Sequence, residues 1–323
     1  MSGGVYVKAV ILSGGEGTRL REISGGLPKP MMPLMGTPLI LRTVSLLREN
    51  GFDEICVTLH YAPERIREVL GSGESSGVRI EYRLEEKPLG TAGAVANCRD
   101  FIGAEPVLIM SGDSACDFDL AELYRSHDAG VTIALACHAE PLSYGLVLTD
   151  KTGRVTGFLE KPAWEQVVTD RVSTGIYVLS PDVLDRVPPG EKYDFAKDLF
   201  PRLLEEGVPV TGKVMEGYWC DIGTPRAYFQ CNLDALDGLY RLPGRNGNVR
   251  RVIPCRDRAR LMRVMSETLA EFGADMTDGL TIANETGRAH LAPLPDRAAL
   301  VLEGDPAAVR AMEALANRLE QDA

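Results

Sequence analysis

Short apolar runs recur along the first half of the chain, each closed by glycine, proline or polar residues and followed by a stretch of helical spacing. Residues 7–12 predict a buried strand. Residues 38–50 place apolar side chains at helical intervals and stop at Gly51. A second strand is expected at 54–59, then a helix that opens on proline at 63–70. The alternation over 78–84 predicts a third strand, 92–98 a helix, and 106–110 a fourth, fully buried strand. Strands alternating with helices imply right-handed crossovers and a parallel sheet, whose ligands collect beyond the carboxyl ends of the strands.

Past residue 130 the pattern changes to strands separated by turn signals, at 132–138, 146–149, 155–159 and 172–179. Between the two halves lies a predicted helix at 120–127, with Asp117 and Asp119 placed to cap it. Further on, Thr224 is positioned to cap a helix running through Leu236. From about Asp237 the character shifts again, and 242–248 reads as a linker. Beyond it come an arginine-rich amphipathic helix (256–272), short strands at 280–283, 289–292 and 299–302, and a closing helix at 306–319. The predicted organisation is an α/β domain with a Rossmann-like mixed sheet over 1–240, a linker at 241–248 and a small α+β domain over 249–323.

Composition narrows the function classes. At 323 residues the chain has ample length for about two domains. Its hydrophobic and charged fractions, 45% and 25%, are those of an ordinary globular protein. A net charge of −11 argues against a general nucleic-acid binder, so any polyphosphate must be met by locally gathered cations. The first residues lack the pattern of a signal peptide, and no apolar run approaches the ~20 residues of a membrane span. The cysteines (56, 98, 116, 137, 220, 231, 255) are scattered without a Cys-x-x-Cys pair, which predicts reduced core residues in a cytoplasmic protein and no zinc site.

Those cations sit near the front. After the first strand come Gly14, Gly15 and Gly17, whose backbone amides can wrap an anion. Arg19 adds a forked charge, and Lys29 a compact one held between Pro28 and Pro30. No Gly-Lys-Ser/Thr closes the turn, so it is not a P-loop. Further candidates lie at other strand ends. Gly90, Thr91 and Gly93 offer amides beside Glu85. Asp113 ends a buried run at the rim of the sheet, where one carboxylate suits Mg2+. Gly145 follows Tyr144 at the start of another strand, and Glu160 stands beside Lys161 at the end of the next. Asp221 ends a strand of its own.

The run from Gly14 to Leu20, Gly-Gly-x-Gly-Thr-Arg-Leu, followed by Pro28-Lys29-Pro30, is similar to the sugar-1-phosphate nucleotidylyltransferase family, nearest to its mannose-1-phosphate guanylyltransferases. The resemblance implies that an NTP, most closely GTP, and a sugar 1-phosphate are joined with Mg2+, giving an NDP-sugar and pyrophosphate. By resemblance Arg19, Lys29 and Asp113 are catalytic. Leu12, Gly14, Gly15, Gly17, Thr18, Glu85, Gly90 and Thr91 hold the nucleotide. Tyr144, Gly145, Glu160, Lys161, Thr174 and Gly175 hold the sugar phosphate. Asp113 and Asp221, 108 residues apart, share the metal. Val172-Ser173-Thr174-Gly175-Ile176-Tyr177 departs from the family's run at Ser173, where a hydroxyl replaces an amide. Two other readings stand beside this one: glucose 1-phosphate with UTP or dTTP, and a silent sugar-nucleotide sensor.

The last 75 residues or so, through Asp278-Gly279-Leu280 and the strands after it, resemble the C-terminal domain of phosphomannomutases and phosphoglucomutases. The segment from Ala292 to Arg297 lacks the Ser-Gly-Thr donors of their phosphate loop, so mutase activity is not expected. The amphipathic helices there can face the chain's own core or a second subunit of a homo-oligomer.

Overall fold

The computed structural model describes residues 7–15, 18–160, 163–244, 249–254, 257–270, 280–284, 287–293, 299–304 and 306–321. The first half is the expected alternation. It comprises β1 (Val7–Ser13), α1 (Leu39–Glu49), β2 (Phe52–Leu59), α2 (Pro63–Leu70), β3 (Arg79–Leu84), α3 (Gly90–Ala96) and β4 (Val107–Ser111). These strands pair in parallel in the order β4-β1-β2-β3. Both faces of the central strands are covered, so β1, β2 and β4 are mainly apolar, whereas the edge strand β3 mixes buried and exposed residues. Ala9, Ile11, Ile55 and Val57 pack on one side, Val10 and Cys56 on the other. Each fully buried aliphatic side chain of this kind contributes roughly 1.5–3 kcal/mol.

After β4 the chain makes a short strand, β5 (Ser114–Cys116), and helix α4 (Leu120–Arg125). Asp119 caps α4 by accepting the Glu122 amide at 2.7 Å. Asp117, expected to share that role, instead accepts the amides of Tyr218 at 2.6 Å and Arg241 at 2.8 Å. It thereby ties two distant segments to the end of β5.

The sheet then becomes antiparallel through β6 (Val131–Cys137), β7 (Gly145–Thr149), β8 (Val155–Glu160) and β9 (Arg171–Leu179). Strand β9 joins the halves, because Tyr177 to Leu179 pair with both β4 and β6, while Val172 meets Leu146 of β7. Its register slips between Ser173 and Tyr177, around Gly175 at φ +76°, a bulge that turns the strand at the rim of the site. Helix α5 (Phe200–Glu205) and strand β10 (Val210–Val214), which pairs in parallel with β6, complete the sheet. Strand β11 (Trp219–Asp221) leads into α6 (Pro225–Leu236), capped by Thr224 through the Ala227 amide at 3.2 Å.

The C-terminal elements are β12 (Val249–Pro254), α7 (Arg258–Ala270), β13 (Leu280–Asn284), β14 (Gly287–Pro293), β15 (Ala299–Gly304) and α8 (Pro306–Gln321). Their sheet is antiparallel, ordered β12-β15-β14-β13. Strand β12 is an addition to the sequence reading, in which the unit begins with a helix. Leu300 and Leu302 face the helices and a local core, whereas Val301 faces the first unit. Leu242 and Pro243, read as linker, are packed: Leu242 is buried, and the Pro243 carbonyl accepts the Arg42 guanidinium at 3.0 Å. Among the described residues no helix is long and apolar enough to cross a membrane.

Candidate active site

The site forms where β1, β2 and β4 end. Strand β1 hands the chain to Gly14 and Gly15, and β4 hands it through Gly112 to Asp113. A Cβ on Gly112 would lie 2.5 Å from Ser13 Oγ, so only glycine lets these two strand ends approach. No pattern in the chain marks β5 as a partner for β11, yet this two-stranded ladder assembles the centre. In it Asp221 is paired with Ser114 and Trp219 with Cys116. Because Ser114 adjoins Asp113, the ladder sets the two carboxylates side by side despite their separation in sequence.

Lys29 is the third member. Pro28 and Pro30 frame a tight turn, Lys29–Met31, in which the Met32 amide donates to the Lys29 carbonyl at 3.1 Å. The ammonium donates to Asp113 Oδ2 at 2.9 Å and to Asp221 Oδ1. Lys29 is 7% exposed, and burial alone would lower its pKa. The two carboxylates outweigh that and hold the pKa above the ordinary lysine value. Burial likewise works against the Asp113 anion, but Lys29 and the Ser111 hydroxyl, which donates to Oδ1, bring its pKa below the usual range.

Around this trio is a cavity of about 220 Å³ lined by Leu12, Ser13, Gly15, Arg19, Leu20, Lys29, Pro30, Asp113 and Gly223. Arg19 reaches it from the turn after the glycine loop. A Cβ on Gly223 would lie 2.8 Å from Arg19 Nη2 and 3.0 Å from Asp221 Oδ2, so this glycine lets both groups share one corner. Gly17 and Lys161 lie outside the described residues, as do Cys255 and the side chain of Thr18.

A second cavity, about 290 Å³, adjoins the first through Leu12, Gly15 and Asp113. Its other walls include Gly14, Thr58, His60, Glu85, Gly90, Thr91 and Asp194. Glu85 is buried, and burial raises its pKa against the opposing effect of the Leu89 amide, which donates to Oε2 at 3.0 Å. Its Oε1 would lie 3.2 Å from a Cβ on Gly14, so it faces the glycine turn. The Gly93 amide, expected to be open to ligand, is taken by the Tyr193 carbonyl at 3.0 Å, which also accepts the Ala92 amide at 2.9 Å. Thr91 Oγ1 donates to Asp194 Oδ1 at 3.1 Å and accepts the Phe195 amide at 3.0 Å. This end of α3 is thus held from behind by 193–195, a segment the sequence reading passed over.

On the other side of the trio stand the remaining sugar-phosphate candidates. Tyr144 packs 5.4 Å from Trp219 and 4.6 Å from His138, ring centre to ring centre. Its pKa is pushed up to about 12, first by burial and then by the Asp221 charge. Thr174 is buried, donates to the Ala134 carbonyl at 2.8 Å, and receives the Trp219 indole on its own carbonyl at 3.1 Å. The Thr174 hydroxyl is therefore spent on the fold, and Gly175 presents backbone opposite Ser111. Gly145 and Glu160 are direct neighbours across β7 and β8, with Glu160 exposed at the rim. Ser111, Gly223, Trp219, His138 and Asp194 were not anticipated. Only the serine, two residues ahead of Asp113 at the end of the buried run, left a sequence signal.

The Lys29, Asp113 and Asp221 trio, the two adjoining cavities and the aromatic rim thus lie together at the carboxyl edge of a mixed sheet, where ligands of such folds collect. The chain belongs to the nucleotidyl transferase family, whose model matches residues 8–238. It is 36% identical over 246 residues to a mannose-1-phosphate guanylyltransferase of Mycobacterium tuberculosis, covering 75% of this chain and 68% of that one. It is also 36% identical over 240 residues to a UTP–glucose-1-phosphate uridylyltransferase of Synechocystis, covering 69% and 62%. Among solved structures, HddC from Yersinia pseudotuberculosis complexed with GMP-PN superposes with a TM-score of 0.62 at 28% identity, over 70% of this chain and 98% of that one. The chain thus spans about two thirds of the length of these curated relatives. Since the family match ends at residue 238, the likeness of the last segment to phosphohexomutases remains an expectation from sequence.

Proposed function

We propose that this protein transfers a guanylyl group from GTP to mannose 1-phosphate, releasing pyrophosphate and forming GDP-mannose. The observation that carries the reading is the meeting of Lys29, Asp113 and Asp221 in one cleft, between a cavity suited to a nucleoside and a rim suited to a sugar. Among the described residues no three His, Cys, Asp or Glu side chains gather as a metal cage. Mg2+ needs none, because it keeps several waters and takes one or two carboxylates together with substrate phosphates. Asp113 and Asp221 fit that demand. When bound there, the ion would neutralise phosphate charge at the reacting centre.

The chemistry is an in-line displacement. A phosphate oxygen of the sugar 1-phosphate attacks the α-phosphorus of the NTP, and the bond to the β-phosphate oxygen breaks as pyrophosphate leaves. The attacking phosphate is ionised at neutral pH, so no general base is required. What remains is positioning and charge compensation. Arg19 and the amides of Gly14 and Gly15 serve the leaving phosphates. The Lys29 ammonium, kept charged by its carboxylates, draws together two reactants that repel each other. Tyr144, Gly145 and Glu160 orient the sugar, and a pairing of Lys161 with its phosphate is an expectation from sequence.

Glu85 supports guanine as the base. An ionised carboxylate only accepts hydrogen bonds, and guanine offers adjacent N–H donors on one edge, whereas uracil and thymine offer one donor between two carbonyls. A panel of GTP, ATP, UTP and dTTP against mannose, glucose and heptose 1-phosphates, read as pyrophosphate release with Mg2+, tests the assignment. GTP with mannose 1-phosphate should turn over best, and a clearly faster pair would replace it. Absence of turnover with every pair would leave the sensor reading.

A further inference from the structure

Among the described residues the C-terminal sheet makes a close contact with the first unit near the Lys29 turn. Residues 33–38 form a small hairpin, with Pro33 opposite Pro38 and Leu34 opposite Thr37. Its tip is Met35-Gly36, and both residues adopt positive φ, 48° and 68°. Such a tip suits glycine but not methionine, and persists only where the surroundings hold it. Helix α6 holds one side: Asn232 Oδ1 accepts the Met35 amide at 3.1 Å, and Tyr228 Oη donates to the Pro33 carbonyl at 2.5 Å.

Strand β13 holds the other. A Cβ on Gly36 would lie 2.1 Å from Thr281 Oγ1, 2.8 Å from its Cγ2 and 3.0 Å from its Cβ. Thr281 is 3% exposed and is itself fixed, with Oγ1 2.8 Å from His290 Nδ1 of β14. Ala292 and Val301 share a core with Met32, Leu34, Met35 and Leu39. The hairpin runs directly out of the catalytic turn. The Met31 amide donates to the Pro28 carbonyl at 2.8 Å, and the Leu39 amide closes onto the Met32 carbonyl at 3.0 Å. Lys29, Pro30 and Met31 are all buried.

We infer that the C-terminal sheet is a positioning element of the transferase site: Thr281, pressed against the hairpin tip at Gly36, sets where Lys29 stands between Asp113 and Asp221. The inference rests on the role given to Lys29 above. It assigns a purpose to residues 249–323 that requires no ligand of their own. A packed interior transmits a shift rather than absorbing it, and misplacing a catalytic group by about 1 Å can cost on the order of a hundredfold in rate.

The test is a double-mutant cycle in the full chain across Gly36→Ala and Thr281→Gly, with Thr281→Ser as the conservative control. Gly36→Ala should lower kcat by about ten- to a hundredfold while KM for the NTP stays within about twofold, because the nucleoside cavity is untouched. Amide hydrogen exchange at Met31 and Met32 should quicken in the same variant. Thr281→Ser should match the wild type. The double variant removes the Thr281 side-chain atoms that the new Cβ would meet, and it should recover part of the lost kcat, the remainder reflecting the strain of a Cβ at φ +68°. Thermal unfolding confirms that each protein is folded before rates are compared. Unchanged kcat and unchanged exchange at Met31 and Met32 in folded Gly36→Ala would overturn the inference. So would a double variant whose loss is the product of the single losses. Were the transferase reading itself wrong, no protein of the set would turn over, and the exchange comparison would still decide the coupling.

Discussion

Replacing Lys29 by methionine keeps most of the side-chain volume and removes only the charge. In the wild type that charge donates to Asp113 at 2.9 Å and also to Asp221. Two losses follow from its removal. The reacting phosphates lose a charge partner whose removal elsewhere costs about 2.7–4 kcal/mol of transition-state stabilisation, so kcat/KM should fall by about 10²–10³. The two carboxylates also lose their counter-charge. Removing one partner of a fully buried ion pair costs about 3–5 kcal/mol. Here, however, the Asp113 and Asp221 side chains are 32% and 30% exposed, so solvent takes over much of that role. A net destabilisation of about 1–2 kcal/mol is expected, and Tm should drop by a few degrees, at about 2–4 °C per kcal/mol for a chain of this size class. Pyrophosphate release measured against both substrates gives the first quantity, and thermal unfolding the second. Lys29→Arg should not rescue the rate, because a planar guanidinium does not fill a slot shaped for an ammonium. A Lys29→Met enzyme within threefold of wild-type kcat/KM, on the order of 0.7 kcal/mol, would refute the reasoning.

Three other outcomes follow from the same geometry. Glu85→Gln removes a carboxylate whose pKa burial raises, so it should leave Tm unchanged or slightly higher while eroding the preference for GTP over UTP by about tenfold, as measured by kcat/KM ratios. Gly145→Ala would bring a Cβ to 3.0 Å from Glu160 Oε2, so KM for the sugar phosphate should rise severalfold with KM for the NTP unchanged. The pH dependence of stability has two limbs. Asp113, held low, stabilises the fold above its unfolded pKa of about 3.9, and that contribution fades as pH falls through the lower folded value. Lys29, held high, stabilises it below about 10.4, and the contribution is lost only as pH climbs through the raised folded value. Urea midpoints of wild type and Asp113→Asn should therefore differ near neutrality and converge in acid. A constant gap down to the lowest pH would contradict the assignment.

How much of this was written in the sequence depends on how local each feature is. The strands and helices of the parallel half were legible because their periodicity is strong and each is punctuated by glycine or proline. Gly14, Gly15, Arg19, Lys29 and Asp113 were legible because strand ends on a parallel sheet are where ligands gather. The pairing of Asp113 with Asp221 was not, since it depends on β5, a three-residue strand flanked by polar residues with no pattern of its own. Strand β10 was missed for a similar reason: Val210-Thr-Gly-Lys-Val214 mixes apolar and polar residues within only five positions. The amide of Gly93 looked open because nothing near it in sequence could accept its hydrogen bond. Its partner, Tyr193, comes from a loop about a hundred residues on. The role of Gly36 was equally hidden, because the threonine that crowds it lies on a sheet formed near the end of the chain.

Asp113 and Asp221 would together hold a single Mg2+ at the substrate phosphates, and a cycle of Asp113→Ala, Asp221→Ala and the double variant shows whether they act as one. The measurement is magnesium-dependent pyrophosphate release from GTP with mannose 1-phosphate. If the carboxylates serve one ion, either single change should cost about 10²–10³ in kcat/KM and the double little more, because the second removal finds nothing left to disrupt. Losses that multiply, or a single variant with wild-type turnover, would mean that the two carboxylates act apart.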